Sequence, residues 1–256
     1  MKKNKLIFLT NDDGVHAKGL NCLIEVAREF GDVAVVAPKE AMSGMSHAIT
    51  IKSPLRVKKI KEEKGLIVYS CAGTPVDCVK LAFNQLLDQK PDLVLSGINH
   101  GSNSSASVVY SGTMGAAMEA CVNLVPSIGF SLSSYSADAD FSEAKKIARK
   151  VIDRVLKEGL DDGVCLNVNV PEMNGEAIKG IKIGRQAKGF WKEEFDRRVD
   201  PHNGEYFWLT GYYHNEEPDS DDTDEFALAN NYASVCPVTV DLTAYHYIEK
   251  LKKWDL

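Results

Sequence analysis

Lys5-Leu6-Ile7-Phe8-Leu9-Thr10 runs straight into Asn11-Asp12-Asp13-Gly14, and this junction decides the reading of the chain. A short apolar run closed by a turn signal reads as the first buried strand of an α/β sheet. In such sheets ligands bind beyond the carboxyl ends of the strands. Asp12 and Asp13 therefore stand where a ligand would stand, with no basic residue beside them to pair their charge. Carboxylate oxygens are preferred ligands of hard divalent cations. Gly14 lets the backbone turn sharply away from the strand.

Working outward, the chain alternates strands and helices. Ala17 to Phe30 carries apolar residues at Leu20, Leu23, Ile24 and Ala27, which is helix spacing, and Gly31 ends it. Val33 to Ala37 is a second strand stopped by Pro38, and residues 51–72 alternate as a β excursion. Thr74 and Pro75 fit the N-cap and first position of a helix reaching Leu87. Leu93-Val94-Leu95 is a central strand, Thr113–Val122 a helix, Ser127–Ser131 a strand, Ser142–Leu156 an amphipathic helix and Val164–Val170 a further strand.

The pattern then changes. From residue 178 the chain is mostly β and irregular, with a hairpin from Arg197 to Gly211 turning at His202-Asn203-Gly204. A helix at 224–230, a strand at 233–240 and a C-terminal helix at 245–254 follow. The expected architecture is a three-layer α/β/α Rossmann-like core over residues 1–175. A β-rich, hairpin-containing extension over 176–256 packs on it.

Composition narrows the class. The chain has 256 residues, 44% of them hydrophobic, and a net charge of −6. That suits one α/β domain with an elaboration. No basic face is evident, which argues against long nucleic acid as a partner. No apolar stretch approaches the length of a membrane span. The amino-terminal residues lack a signal-peptide pattern, which reads as cytoplasmic. The six cysteines (Cys22, Cys71, Cys78, Cys121, Cys165, Cys236) form no Cys-x-x-Cys pair and read as reduced, mostly buried thiols.

Three loops follow three strand ends. They carry Asp12 and Asp13, Ser43, and Asn99. Two carboxylates, a hydroxyl and an amide oxygen are hard donors that suit Mg²⁺, Mn²⁺ or Ca²⁺. A fourth loop, Tyr110-Ser111-Gly112-Thr113, leads into a helix. Helix-start N–H groups and hydroxyls make an anion site. A metal beside a phosphate cradle is what phosphate ester hydrolysis needs, because the cation offsets phosphoryl charge and can activate water.

Each element alone has a plainer reading. An Asp-Asp pair is usually a solvated turn or cap, and Ser43 and Asn99 would be turn residues. Their joint appearance after separate strands favours a site. His16, His47 and His100 flank it and read as hydrogen-bonded neighbours; His202, His214 and His246 read as surface residues. The acidic run Glu216–Glu225 reads as a solvated loop. The aromatic residues of 206–213 read as hairpin packing or a subunit contact rather than a base-stacking platform.

Several long motifs occur in register. They are Asn11–Gly14, Ser43-Gly44, Gly73-Thr74-Pro75-Val76-Asp77-Cys78-Val79, Ser96–Asn103 and Tyr110–Glu119. Thr223-Asp224, Ser234-Val235-Cys236-Pro237 and Asp241-Leu242-Thr243 follow near the end. This pattern resembles the SurE family, the stationary-phase survival proteins that are metal-dependent 5′/3′-nucleotidases. The resemblance implies a swapped C-terminal region and one divalent cation per subunit, Mg²⁺ or Mn²⁺, held by Asp12, Asp13, Ser43 and Asn99. It places phosphate contacts at Asn103 and at Ser111, Gly112 and Thr113, and catalysis at Asp12, Asp13 and Asn99. Cys236 departs from it, standing where a Thr is expected before the Pro.

The expected activity is hydrolysis of nucleoside monophosphates, at 3′ as well as 5′ positions, extending to exopolyphosphate, by a homodimer or homotetramer. A receiver-type signalling module would need an Asp after the third strand and a Lys after the fifth, and neither is in place. A haloacid-dehalogenase phosphatase would need Asp-x-Asp, whereas the two carboxylates here are adjacent.

Overall fold

The computed structural model describes residues 4–173 and 177–255. The expected domain boundary at 175/176 lies outside the described residues. Five parallel strands form the centre of the sheet: β1 (Leu6–Thr10), β2 (Asp32–Pro38), β5 (Leu93–His100), β6 (Ser127–Leu132) and β7 (Val164–Val170). The full order is β3-β4-β2-β1-β5-β6-β7-β11-β8, with β3 (Val57–Glu63), β4 (Leu66–Cys71), β8 (Gly180–Ile183) and β11 (Tyr232–Thr239) at the flanks. The antiparallel pairs are β3 with β4 and β11 with β7.

Alternation along β1 shows the three layers directly. Ile7 and Leu9 face a core shared with Leu20 and Leu23 of α1 (Lys18–Ala27) and Ile147 and Val151 of α5 (Ser142–Glu158). Phe8 faces the opposite core, with Cys78 and Val79 of α2 (Pro75–Leu81) and Ala116 and Ala120 of α4 (Gly112–Val122). A strand buried on both faces reads as continuous apolar sequence, as residues 6–9 do. Helix α2 starts on a capping box in which the Thr74 hydroxyl accepts from Asp77 N–H and Asp77 accepts from Thr74 N–H. The expected helix to Leu87 ends its regular part at Leu81 and continues as a wider π turn over Ala82–Leu86.

The chain passes from β1 to β2 on one side and returns to β5 on the other. The switch point therefore lies between β1 and β5, where a doubly wound sheet binds its ligand. Strand β5 bulges there: its register with β6 slips between Ser96 and Asn99. Gly97 (φ +126°) makes the bulge, and a Cβ on it would meet the Phe130 carbonyl oxygen at 2.3 Å.

The late hairpin is longer than the sequence suggested. Strands β9 (Gly189–Val199) and β10 (Glu205–Asn215) pair along their whole length as a separate two-stranded sheet. The turn is not a two-residue Asn-Gly turn but spans residues 200–204, with Asn203 left-handed at φ +62°. The Asp200 carboxylate accepts from the His202 and Gly204 N–H groups and closes it. Most of its side chains are exposed, and α7 (Tyr245–Leu251) buries none.

All six cysteines are free; five are buried and Cys22 is half-buried. No helix among the described residues is long and apolar enough to cross a membrane.

Candidate active site

The β1 end carries Asn11, Asp12 and Asp13. Asn11 holds the turn by donating from Nδ2 to the Gly14 carbonyl at 2.9 Å. Asp12 is 4% exposed, and its Oδ1 accepts from the Thr113 hydroxyl at 2.6 Å. Asp13 is half-buried, and its Oδ2 accepts from the His100 N–H at 3.1 Å. The β1–β5 register sets Thr10 beside Ser96, so both strand ends open on the same edge.

Burial pushes the Asp12 carboxyl up to about 6, and the Asp13 charge adds to this while Thr113 opposes it. Burial also raises Asp13, against the pull of the His100 N–H. No lysine or arginine pairs with either carboxylate among the described residues. A buried and a half-buried acid without a lysine or arginine partner hold their charge at a cost.

Asn99 spends its Nδ2 on the Gly101 carbonyl at 2.8 Å, which leaves Oδ1 as an acceptor without a hydrogen-bond partner among the described residues. Ser43 arrives by the backbone: Met42 N–H donates to the Asp12 carbonyl at 2.7 Å, and Ser43 follows it with an exposed side chain. The Asn11 Oδ1, buried nearby, has no partner either. Among the described residues no cluster of three or more His, Cys, Asp or Glu side chains could hold a metal. The donors here are instead two carboxylates and neutral oxygens. That set fits a hard divalent cation completed by water.

The start of α4 meets the same edge. Ser111 caps it, its hydroxyl accepting from Met114 N–H at 3.0 Å. Gly112 leaves room for Asp12: a Cβ there would lie 3.0 Å from Asp12 Cβ and 3.1 Å from Asp12 Oδ2, close enough to push that carboxylate aside. Thr113 turns to Asp12 instead of to open space, so its first role is to position that carboxylate. Asn103 is buried, with Nδ2 donating to the Ser131 hydroxyl at 2.7 Å. Its geometry holds the 101–105 loop together.

Other residues were not anticipated. Asn169 accepts through Oδ1 from Asn103 N–H at 2.7 Å, and Asn167 donates through Nδ2 to the Asn103 carbonyl at 2.8 Å. Two amides inside an otherwise apolar strand were the available signal. The acidic run is not simply solvated. Asp224 is buried, and its carboxylate accepts from Ser105, Ala187 and Glu225 N–H groups. Glu225 accepts from the Ser104 hydroxyl, and Tyr213 pairs its hydroxyl with that of Ser105.

The histidines behave as neighbours. His47 contacts Glu119 at 2.9 Å, and Lys80 donates to the same carboxylate at 2.7 Å. Burial alone would raise Glu119, but these two partners outweigh it and hold the carboxyl below its ordinary range. The ring of His100 packs edge-on against Phe141, His16, His202 and His246 are exposed, and His214 is half-buried against Phe190.

Fold and site together define a Rossmann-like α/β protein with two adjacent carboxylates beside a helix start at its topological switch point. The family described as survival protein SurE matches residues 7–193. Over nearly its full length the chain is similar to the protein named 5′-nucleotidase SurE from Flavobacterium psychrophilum, at 54% identity covering 98% of each chain. It is similar at 53% identity to the protein of that name from Christiangramia forsetii, covering 100% of this chain and 98% of the other. The crystal structure of the SurE protein from Aquifex aeolicus shares the fold with a TM-score of 0.82 at 38% identity, covering 96% of this chain and 98% of that one. The chain belongs to the SurE family.

Proposed function

We propose that this protein is a divalent-metal-dependent 5′-nucleotidase that cleaves nucleoside monophosphates to nucleoside and phosphate. The relatives that carry the 5′-nucleotidase name span the whole chain, which supports the reading. The observation that carries it is the Asp12–Asp13 pair, one buried and one half-buried beside the start of α4, with no lysine or arginine to balance it among the described residues. Family membership removes the receiver and acyl-phosphate alternatives.

Asp12, Asp13, Ser43 and Asn99 would hold Mg²⁺ or Mn²⁺, one per subunit. When bound, the cation neutralises phosphoryl charge and acidifies water. The chain's own groups do the positioning. Thr113 orients Asp12, and the His100 N–H orients Asp13. The N-terminal end of α4 lends its dipole to the phosphate. Asn103, fixed by Asn167, Asn169 and Ser131, supports the loop that frames the leaving group.

The same chemistry extends to 3′-phosphates and to the terminal phosphate of short polyphosphate. Residues 1–175 serve as the catalytic core, and 176–256 as an extension that packs on it through β8 and β11 and exchanges its hairpin and C-terminal arm between subunits of a cytoplasmic homodimer or homotetramer. The exposed apolar side chains of the hairpin and of the C-terminal arm support that assembly, since such groups need covering. The test is phosphate release from a panel of 5′- and 3′-monophosphates and polyphosphate, with EDTA, Mg²⁺ or Mn²⁺. Release that is unaffected by EDTA, or absent with every nucleotide, would refute the reading.

A further inference from the structure

One face of α4 carries Gly112, Gly115 and Glu119, which the helix repeat stacks in a line. Along this line α4 meets two of the loops that bring donors to the site. Gly112 lies against Asp12. Gly115 lies against the loop that carries Ser43: a Cβ there would meet the Ser46 carbonyl oxygen at 2.3 Å and His47 Cα at 3.3 Å. Glu119 is buried and accepts from His47 Nε2 at 2.9 Å. We propose that His47 and Glu119 are positioning residues that clamp the Ser43 loop onto α4 and so set cation affinity through the placement of Ser43. The inference rests on the reading of Ser43 as a cation ligand and adds the residues that hold it in place.

The loop has an anchor on each side of Ser43. On the near side Met42 N–H donates to the Asp12 carbonyl at 2.7 Å. Ser43 itself is exposed, so its own surroundings do not fix it. On the far side Ser46 donates from its N–H to the Tyr110 carbonyl at 3.0 Å and from its hydroxyl to the Val109 carbonyl at 2.6 Å. Ser46 stands at φ +52°, a left-handed conformation that a serine keeps only where its neighbours over-determine it. His47 then reaches Glu119, and the Ala48 carbonyl accepts from the Thr74 hydroxyl at 2.7 Å.

The chemistry of Glu119 suits a clamp. A buried carboxylate needs partners for both oxygens. Lys80 donates to Oε1 at 2.7 Å and Asn123 Nδ2 donates to it at 3.1 Å, which aims Oε2 at His47. Burial pushes the carboxyl up, but His47 and Lys80 outweigh it, so Glu119 stays a charged acceptor. An ionised carboxylate only accepts, so the His47 ring donates through Nε2. The His47 side chain is 36% exposed, and its removal opens no hole in the core. Side chains that orient metal ligands from behind change metal affinity by roughly 10- to 100-fold.

The test measures Mn²⁺ binding directly, from the electron paramagnetic resonance signal of the free ion, in the wild type, His47→Ala, His47→Gln, Gly115→Ala and Ser43→Ala. The Kd should rise about tenfold in His47→Ala and in Gly115→Ala, which loosen the loop from opposite sides of the contact. His47→Gln keeps an N–H donor at similar reach and should recover most of the loss. Adding His47→Ala to Ser43→Ala should change the Kd no further, because residues that act through one another are not additive. Thermal unfolding in EDTA shows that each variant is folded. An unchanged Kd in both His47→Ala and Gly115→Ala, or a His47 effect that persists in full on Ser43→Ala, would overturn the clamp while leaving the cation site intact. A wild type that binds no Mn²⁺, or a Ser43→Ala variant that binds it undiminished, would instead remove the reading on which the clamp rests.

Discussion

Asp12→Asn should stabilise the metal-free protein while destroying its activity. Asp12 is 4% exposed, and burial lifts its pKa from 3.8 to about 6. Holding that carboxylate ionised in the fold therefore costs about 3 kcal/mol at neutral pH, at about 1.4 kcal/mol per tenfold change in proton affinity. The sign follows from linkage. A group whose pKa is higher in the folded state adds stability below its unfolded value and loses it as pH rises through its folded value. The gain from removing the charge is thus about a fifth developed at pH 4, about half at pH 5 and complete above about pH 7. An asparagine keeps an oxygen to accept the Thr113 hydroxyl, so the local geometry survives.

The assay is thermal unfolding in EDTA at pH 4.5, 5.5 and 7.5. For a chain of this size, about 3 kcal/mol corresponds to roughly 6–12 °C in Tm. The increment should grow with pH over that range. Adding Mg²⁺ should raise the wild-type Tm and close much of the gap, because a cation bound only to the folded state stabilises it by mass action. A variant that is neutral or less stable at pH 7.5 in EDTA, or a gain that ignores pH, would refute the argument that the site is a buried, uncompensated acid.

The other expectations are briefer. Asp13→Asn should lose most turnover with its fold intact, and near-normal activity at limiting Mg²⁺ would rule out the site. Gly112→Ala should cost activity more than stability, because its methyl would sit about 3.0 Å from Asp12; assays of kcat/KM beside circular dichroism decide it. Light scattering should give at least a dimer at micromolar concentration, and a clean monomer would defeat the exchanged arm. Purine and pyrimidine monophosphates should differ by about tenfold or less in kcat/KM, roughly 1.4 kcal/mol. Triphosphates should be poorer, because no Lys or Arg lies between Asn99 and Cys121 to meet the extra charge.

The central sheet was readable because strands buried on both faces leave continuous apolar runs, as at Leu6–Leu9 and Leu93–Leu95. Asp12, Asp13 and Asn99 were readable because each ends such a run. What escaped was partnership. Asn167 and Asn169 sit in a strand recognised as a strand, yet nothing local says they hold a loop more than 60 residues earlier. Asp224 was lost in its surroundings: in an acidic stretch each residue looks solvated, and only tertiary contact singles out the one that caps three N–H groups. The hairpin was shortened because charged residues run in threes between the aromatic ones along Gly189–Val199, so no single apolar face marked the strand.

These missed partners explain how the site is kept in register. The 101–105 loop would be floppy on its own, being rich in Gly, Ser and Asn. It is instead suspended from two distant elements: the amides of β7 and the Asp224 carboxylate at the start of α6 (Asp224–Ala229). Burial raises the Asp224 pKa, and the three N–H donors oppose that rise. The donors matter as much as the acceptor, since a buried N–H left without a partner costs about 1–3 kcal/mol. Ala187 is one of those donors, and two residues beyond it the chain enters β9 and reaches Trp191. The same carboxylate therefore ties the loop beside Asn99 to the base of the hairpin. An edge that holds two acids without a cationic partner does so at a cost. Clamping it from the C-terminal third of the chain keeps that costly arrangement in place.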